Sequence, residues 1–242
     1  MTFSLDDPIS LIHGVGENYQ QLLNRINIFT VRDLIYHVPF RYEDWSTISP
    51  IKDLKPGDKV TLSVQIHSID LIPTRSSKKI IKAIVTDQSQ PIQVIWFNQI
   101  YLLKTLKAGT FVNLSGKVDY FGKTLSLISP QYELIHPDLT QSSTHTGRLI
   151  GIYPETAGLS SKWLRTKIKK ILELTIINDW RTSEIQQQIT SLSTPFNLEQ
   201  SLYQIHFPQT LEEAEQAKNR LAEDELISLH MQSLIRKTEW LS

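Results

Sequence analysis

The sequence predicts an α+β fold, a five-stranded barrel set between helical segments. Three observations carry that prediction. From Lys59 the hydrophobic period is two, with Val60, Leu62, Val64 and Ile66 alternating with Thr61, Ser63, Gln65 and His67, the mark of a half-buried strand. Four further strand-like stretches follow, interrupted once by a short helical piece. On both sides of this block the apolar residues recur at helical spacing instead.

In chain order, Leu11-Ile12-His13-Gly14-Val15-Gly16 opens a helix from about Glu17 to Ile26, with Tyr19, Leu22, Leu23 and Ile26 on one face. A second short helix starts at Thr30, whose hydroxyl can cap it, and reaches His37, where Pro39 stops it. Paired glycines between helices let backbone amides face a phosphate, because no side chain blocks the approach. Gly14 and Gly16 therefore form a helix-hairpin-helix-like candidate for DNA contact; a tight turn needing both glycines for positive φ explains them equally well.

After the strand from Lys59, further strands are predicted at Lys79 to Thr86, Pro91 to Phe97, Thr110 to Tyr120 and Lys123 to Ser129, with Phe121-Gly122 turning the last pair. A helix from Asn98 to Leu106 separates the third strand from the fourth. Five strands with one helix in that place describe an oligonucleotide-binding (OB) barrel, although a fold alone assigns no function. The polar stretch from His136 to Arg148 reads as a linker. Beyond it, Gly158-Leu159-Ser160 caps a helix from about Lys162 to Leu174, Ser183 can cap a short one, and Leu198 to Ile205 forms another. Thr210 precedes a helix from Leu211 to about Trp240, with Glu212 and Glu213 in its first turn, where the dipole favours them. The expected organisation is a helical hairpin (1–50), an OB barrel (51–136), a linker (137–148) and a helical connector (149–242).

At 242 residues with 40% hydrophobic content the chain can bury a sizeable core. It has no cysteine, which excludes disulfides, thiolate metal sites and cysteine nucleophiles and agrees with a reducing compartment. Met1 to Asp7 lacks the basic start and apolar stretch of a secretory signal, and no apolar run approaches the roughly 18 residues of a membrane span. No membrane partner is expected. The formal net charge of zero argues against a nucleic-acid binder, but its distribution argues the other way. Between Ile51 and Leu125 eleven basic residues face five acidic ones, while acid collects at Glu199, Glu212, Glu213, Glu215, Glu223, Asp224 and Glu225. A merely solvated charged surface is the plainer alternative.

Catalytic motifs are not found. Gly116 to Thr124 superficially resembles a P-loop, but its glycines are one residue too far apart and the stretch belongs to an alternating hairpin. Asp224-Glu225 sits inside an acidic helix with no apolar strand before it, unlike an ATPase acidic pair. The seven histidines show no metal-ligand spacing, and His206, between Ile205 and Phe207-Pro208, reads as a buried structural residue. No catalytic, cofactor-binding or metal residue is nominated.

The binding residues nominated are aromatic and basic. Along the third strand Ile92, Val94 and Trp96 share one face and Gln93, Ile95 and Phe97 the other, which puts Trp96 in the core and Phe97 outside. If a helix begins directly afterwards, Tyr101 lies one turn on and on the same side as Phe97. Two such rings near a Gly122-Lys123 turn suit stacking on unpaired bases while phosphates are held; mutual packing is the ordinary alternative. Phosphate contacts are expected from Lys78, Lys79, Lys104, Lys107 and Lys123.

Taken in order, Gly14-Val15-Gly16, Thr30-Val31-Arg32-Asp33-Leu34, His37-Val38-Pro39-Phe40-Arg41-Tyr42-Glu43-Asp44, Trp96-Phe97-Asn98-Gln99 with Tyr101-Leu102, Leu106-Lys107-Ala108-Gly109, Ile152-Tyr153-Pro154, Gly158-Leu159-Ser160, Ile205-His206-Phe207-Pro208 and Arg220-Leu221-Ala222 resemble the N-terminal wedge region of the bacterial RecG branched-DNA helicases. The resemblance implies an ATP-dependent enzyme that remodels stalled forks and Holliday junctions in recombination and repair, with a wedge that splits duplexes at the branch point. ATP and magnesium are implied only for a motor that would follow Ser242, so this chain looks like a fragment or truncated form with no cofactor of its own. The implied partners are branched and single-stranded DNA and the motor of the same polypeptide, in a bacterial cytoplasm at the nucleoid. By resemblance Phe97 and Tyr101 match the base-stacking aromatics and Lys123 a basic hairpin position. Two positions depart from the pattern: Ile100 stands where proline is frequent, and Glu223 where an aromatic usually follows Arg-Leu-Ala. A protein-interaction or regulatory OB module that docks on a motor, with little DNA binding of its own, is the alternative function.

Overall fold

In the computed structural model, which describes residues 2–73, 79–87, 89–135, 148–154, 157–181 and 195–241, the chain forms two units. One comprises Met1–Tyr42 with Gly151–Ser242, the other Glu43–Ile150. The first and last stretches of the sequence thus belong to a single helical unit, where the sequence reading takes them as separate segments. The chain passes between units through β1 (Arg41–Asp44) and β7 (Leu149–Ile152), which pair as a two-stranded sheet.

Alternation builds the second unit. Strands β2 (Lys59–Ile72), β3 (Ile80–Thr86), β4 (Pro91–Phe97), β5 (Phe111–Phe121) and β6 (Thr124–Leu134) close in the order β2-β3-β4-β6-β5, an OB barrel. The first half of β2 pairs with β5 and the second half with β3. A register shift between Ile66 and Ser68 bends the strand where it changes partner. Only β4 and β6 run parallel, with Gln93 opposite Ser126 and Ile95 opposite Ile128. Inside, Leu62, Ile81, Val94, Trp96, Leu114 and Leu127 are fully buried. The Trp96 indole donates to the Pro130 carbonyl at 2.9 Å, so its N–H is satisfied. Gly116 is required beside it, because a Cβ there would lie 2.9 Å from that of Pro130.

Two expectations need correction. The helix between β4 and β5 is only α3 (Leu102–Thr105), because Asn98 turns left-handed at φ 57° and is used elsewhere: its N–H donates to Lys79 O at 2.7 Å and its Oδ1 accepts from Lys79 N–H at 3.2 Å. Strand β4 also does not alternate cleanly. Ile95 and Gln93 are buried beside the inward residues, since β4 lies between β3 and β6 and Gln93 donates to Ser126 Oγ at 3.1 Å; of the three outer residues Gln93, Ile95 and Phe97, Phe97 alone is exposed.

The helical unit packs α1 (Glu17–Asn24), α2 (Val31–Ile35), α4 (Ser161–Leu172), α5 (Leu198–His206) and α6 (Leu211–Leu241). Sequence caps start them. Thr30 and Asp33 form a reciprocal box at α2, Ser160 accepts from Trp163 N–H at α4, Asn197 and Gln200 form a box at α5, and Thr210 Oγ1 accepts from Glu213 N–H at α6. The expected cap at Ser183 and the expected linker (137–148), apart from Arg148, lie outside the described residues. Leu23, Val31 and Leu34 from the N-terminal stretch share one core with Leu164, Ile168 and Leu202.

His206 is fully buried at the centre of this unit, between Ile35 O at 2.6 Å from Nε2 and the Tyr153 hydroxyl at 2.6 Å from Nδ1. A carbonyl only accepts, so Nε2 carries the proton and Nδ1 accepts from Tyr153. Burial, together with the nearby His37, pushes the His206 pKa down to about 4 despite the bond to Ile35. A second buried polar group ties the chain to α6: Arg181 bonds Asp224 at 2.8 Å and Glu223 at 3.1 Å, while Arg220 bonds Asp179 at 2.7 Å and Asp224 at 3.0 Å.

Two stability predictions follow from these packings. Trp96→Ala should cost about 3–5 kcal/mol in chemical denaturation through the cavity it opens; a loss below about 1 kcal/mol would mean the barrel is not packed around this ring. For His206, the folded pKa of about 4 lies below the unfolded value of about 6.5, so the unfolded state binds more protons between them. Stability should be complete above about pH 6.5 and fall by about 3 kcal/mol as the pH drops towards 4. Denaturation across that range should show a flatter slope for His206→Gln than for the unchanged protein, and an equal slope would assign the acid sensitivity to other groups.

Candidate nucleic-acid interface

Strand alternation puts Phe97 outside because Trp96 is inside. It pairs with Ile80 of β3 at the strand end and keeps 36% of its surface exposed. The two Asn98–Lys79 bonds, one through the Asn98 amide and one through its side chain, hold exposed Lys79 next to it. Phe97 meets the ring of Phe121, centroids 6.2 Å apart and planes tilted by 59°. Phe121 ends β5 and faces Thr124 across the Gly122-Lys123 turn, where Gly122 adopts φ 65°. That contact brings the turn carrying exposed Lys123 to the end of β4.

Tyr101 precedes α3 and is 56% exposed, its hydroxyl donating to Gln99 Oε1 at 2.9 Å. Burial of one edge and the neighbouring Tyr132 push its pKa up, so the ring is neutral near pH 7. It follows Phe97 through a turn rather than one continuous helix, and the ring that Phe97 touches is Phe121. Lys104, in the last turn of α3, and Lys107, in the turn closed by Thr110, are both exposed. Lys78 lies outside the described residues. On the hairpin, Asp119 pairs with Lys117 at 3.6 Å.

Gly14 and Gly16 lie in the helical unit, away in sequence and core from these groups. Gly14 needs its glycine, with φ 77°, and Lys167 Nζ fills the space where a Cβ would be, donating to His13 O at 2.6 Å. Gly16 has φ −77° and caps α1, a conformation open to any residue. The turn explanation therefore holds for Gly14 and not for Gly16.

Phe121 and the exposed Tyr120 were not among the nominated residues. Period-two alternation through Lys117, Asp119 and Phe121 carries the signal for Phe121, which its position beside the turn glycine obscures. Among the described residues no cluster of three His, Cys, Asp or Glu could hold a metal ion, and no helix is long and apolar enough to cross a membrane.

Comparison with known proteins matches residues 8–176 to the RecG wedge domain. The ATP-dependent DNA helicase RecG of Thermotoga maritima is 30% identical over 230 residues, covering 94% of this chain and 28% of that protein. RecG of Staphylococcus aureus is 26% identical over 244 residues, covering 98% and 33%. A solved structure of RecG bound to a three-way DNA junction superposes with a TM-score of 0.75 at 28% identity, over 98% of this chain and 32% of that one. The chain spans about a third of the length of these relatives. With residues 8–176 matched to the family's domain and 98% of the chain superposing on a solved member, the chain belongs to the RecG wedge family.

Proposed function

We infer that this chain is the DNA-binding wedge of a RecG-type helicase, which engages branched DNA such as forks and Holliday junctions by structure rather than sequence. The observation that carries the reading is the exposed Phe97 ring beside the Lys123 turn, a stacking face and a cation at one end of the barrel. In this reading Phe97 and Tyr101 stack on unpaired bases at the branch, and Lys79, Lys104, Lys107 and Lys123, with Lys78, contact phosphates. ATP hydrolysis, magnesium binding and fork remodelling would belong to a motor in the rest of the polypeptide, acting in recombination and repair at the nucleoid. Similarity to a protein solved on a three-way DNA junction supports it.

One observation favours docking on such a motor as an additional role. The second half of α6 exposes Leu226, Leu229, Met231, Leu234, Ile235 and Trp240, more apolar surface than an isolated helix normally shows to water.

Gel-shift titration with a fork, a single strand and a duplex at several salt concentrations tests the DNA reading. The fork should bind best, with affinity falling steeply as salt rises; equal or absent binding to all three overturns the reading. Phe97→Ala/Tyr101→Ala should lose roughly tenfold or more in fork affinity, since each stacked base contributes about 1–3 kcal/mol, with the melting temperature retained. Lys123→Ala should weaken fork binding and reduce the slope of log affinity against log salt by about one. An unchanged slope would remove Lys123 from the phosphate contacts.

A further inference from the structure

Resting on the branched-DNA reading, we propose that Phe121 determines the preference for a branch over a plain single strand, by tying the Lys123 turn to the Phe97 stacking site. The two rings meet at 6.2 Å with a 59° tilt, within the range of favourable edge-to-face pairs. Phe97 is fixed independently of this contact, through its pairing with Ile80 and the Asn98–Lys79 bonds. Lys123 is held differently: it sits exposed in a two-residue turn at the tip of the β5–β6 hairpin, beyond the β5 residues that pair with β2 and the β6 residues that pair with β4, where a two-stranded ladder holds position less firmly.

A single strand needs only an aromatic face and diffuse positive charge, because its backbone adapts to wherever the cation is. A branch presents an unpaired base and the phosphates of an adjoining arm at a fixed separation. Reading both together requires the ring and the ammonium to be held in one arrangement, so that the second contact forms at high effective concentration once the first is made. The Phe97–Phe121 contact provides that link, and Phe121 is a positioning residue that acts through Lys123.

The test measures fluorescence anisotropy of the full chain with a fork and with a single strand of the same sequence, alongside thermal melting, for Phe121→Ala, Phe121→Leu, Phe121→Tyr, Lys123→Ala and the Phe121→Ala/Lys123→Ala pair. Phe121→Ala should lose roughly five- to twentyfold on the fork and less than about twofold on the single strand. Phe121→Tyr keeps the ring and should retain the preference. Phe121→Leu keeps the bulk for folding but lacks the ring and should behave as the alanine variant, so the proposal remains testable if alanine unfolds the barrel. Adding Lys123→Ala to Phe121→Ala should cost little more, because the link is already broken. Equal losses on fork and single strand, no loss on either, or additive effects in the pair would overturn the proposal while leaving the wedge reading in place. Absence of fork preference in the unchanged protein would overturn both.

Discussion

Closure of the barrel around Trp96 is the constraint on which the interface depends. In a closed sheet every strand residue is assigned to inside or outside, and the indole occupies the inside by volume and by its bond to Pro130 O. Phe97 must then face out. The same closure brings β4 against β6 in the barrel's only parallel pairing, and β6 begins at the hairpin whose other strand supplies Phe121. The candidate interface is thus not a loop decorated with suitable residues; its aromatic is the continuation of a core strand, and a rigid scaffold holds the exposed ring in place.

The helical unit is organised by buried polar groups rather than by apolar packing alone. His206 joins α2 to the segment after β7 through Ile35 O and Tyr153, and burial keeps the imidazole that makes both bonds neutral. Arg181 and Arg220 anchor the chain to α6 through three carboxylates. Burial pushes Asp179 up, but its bond from Arg220, the Arg181 and Leu198 amides and the Arg220 charge outweigh that and hold it below the usual carboxylate range. Such pairs contribute little net stability, yet removing one partner strands a buried charge. This accounts for Glu223, which departs from the aromatic expected there: its carboxylate is the second partner of Arg181.

The sequence made the barrel legible because a closed β core enforces period two over long runs, and the β3, β4 and β5 boundaries differ from expectation by at most about one residue. Caps at Thr30 and Ser160 were legible for the same local reason: each bonds within three residues of itself. What the sequence does not reveal is non-local. Asn98 delays the start of the predicted helix to Leu102 because it bonds Lys79, nineteen residues away, and Ile95 is buried because of strand order. Phe121 was hidden by the turn beside it, and its partner Phe97 lies on a strand that is not its neighbour in the sheet. The pairing of the first and last segments in one core also has no local signature.

The zero net charge, which on its face opposes nucleic-acid binding, is resolved by where the charges are used. Glu223 and Asp224, prominent in the acidic stretch, are neutralised by Arg181 and Arg220 within the helical unit, so they contribute little field outside it. The barrel's Lys79, Lys104, Lys107 and Lys123 are exposed to solvent. Net charge averages over two units whose charges do different physical work, one holding helices together and the other facing outward, so the overall zero does not describe the local balance on the barrel.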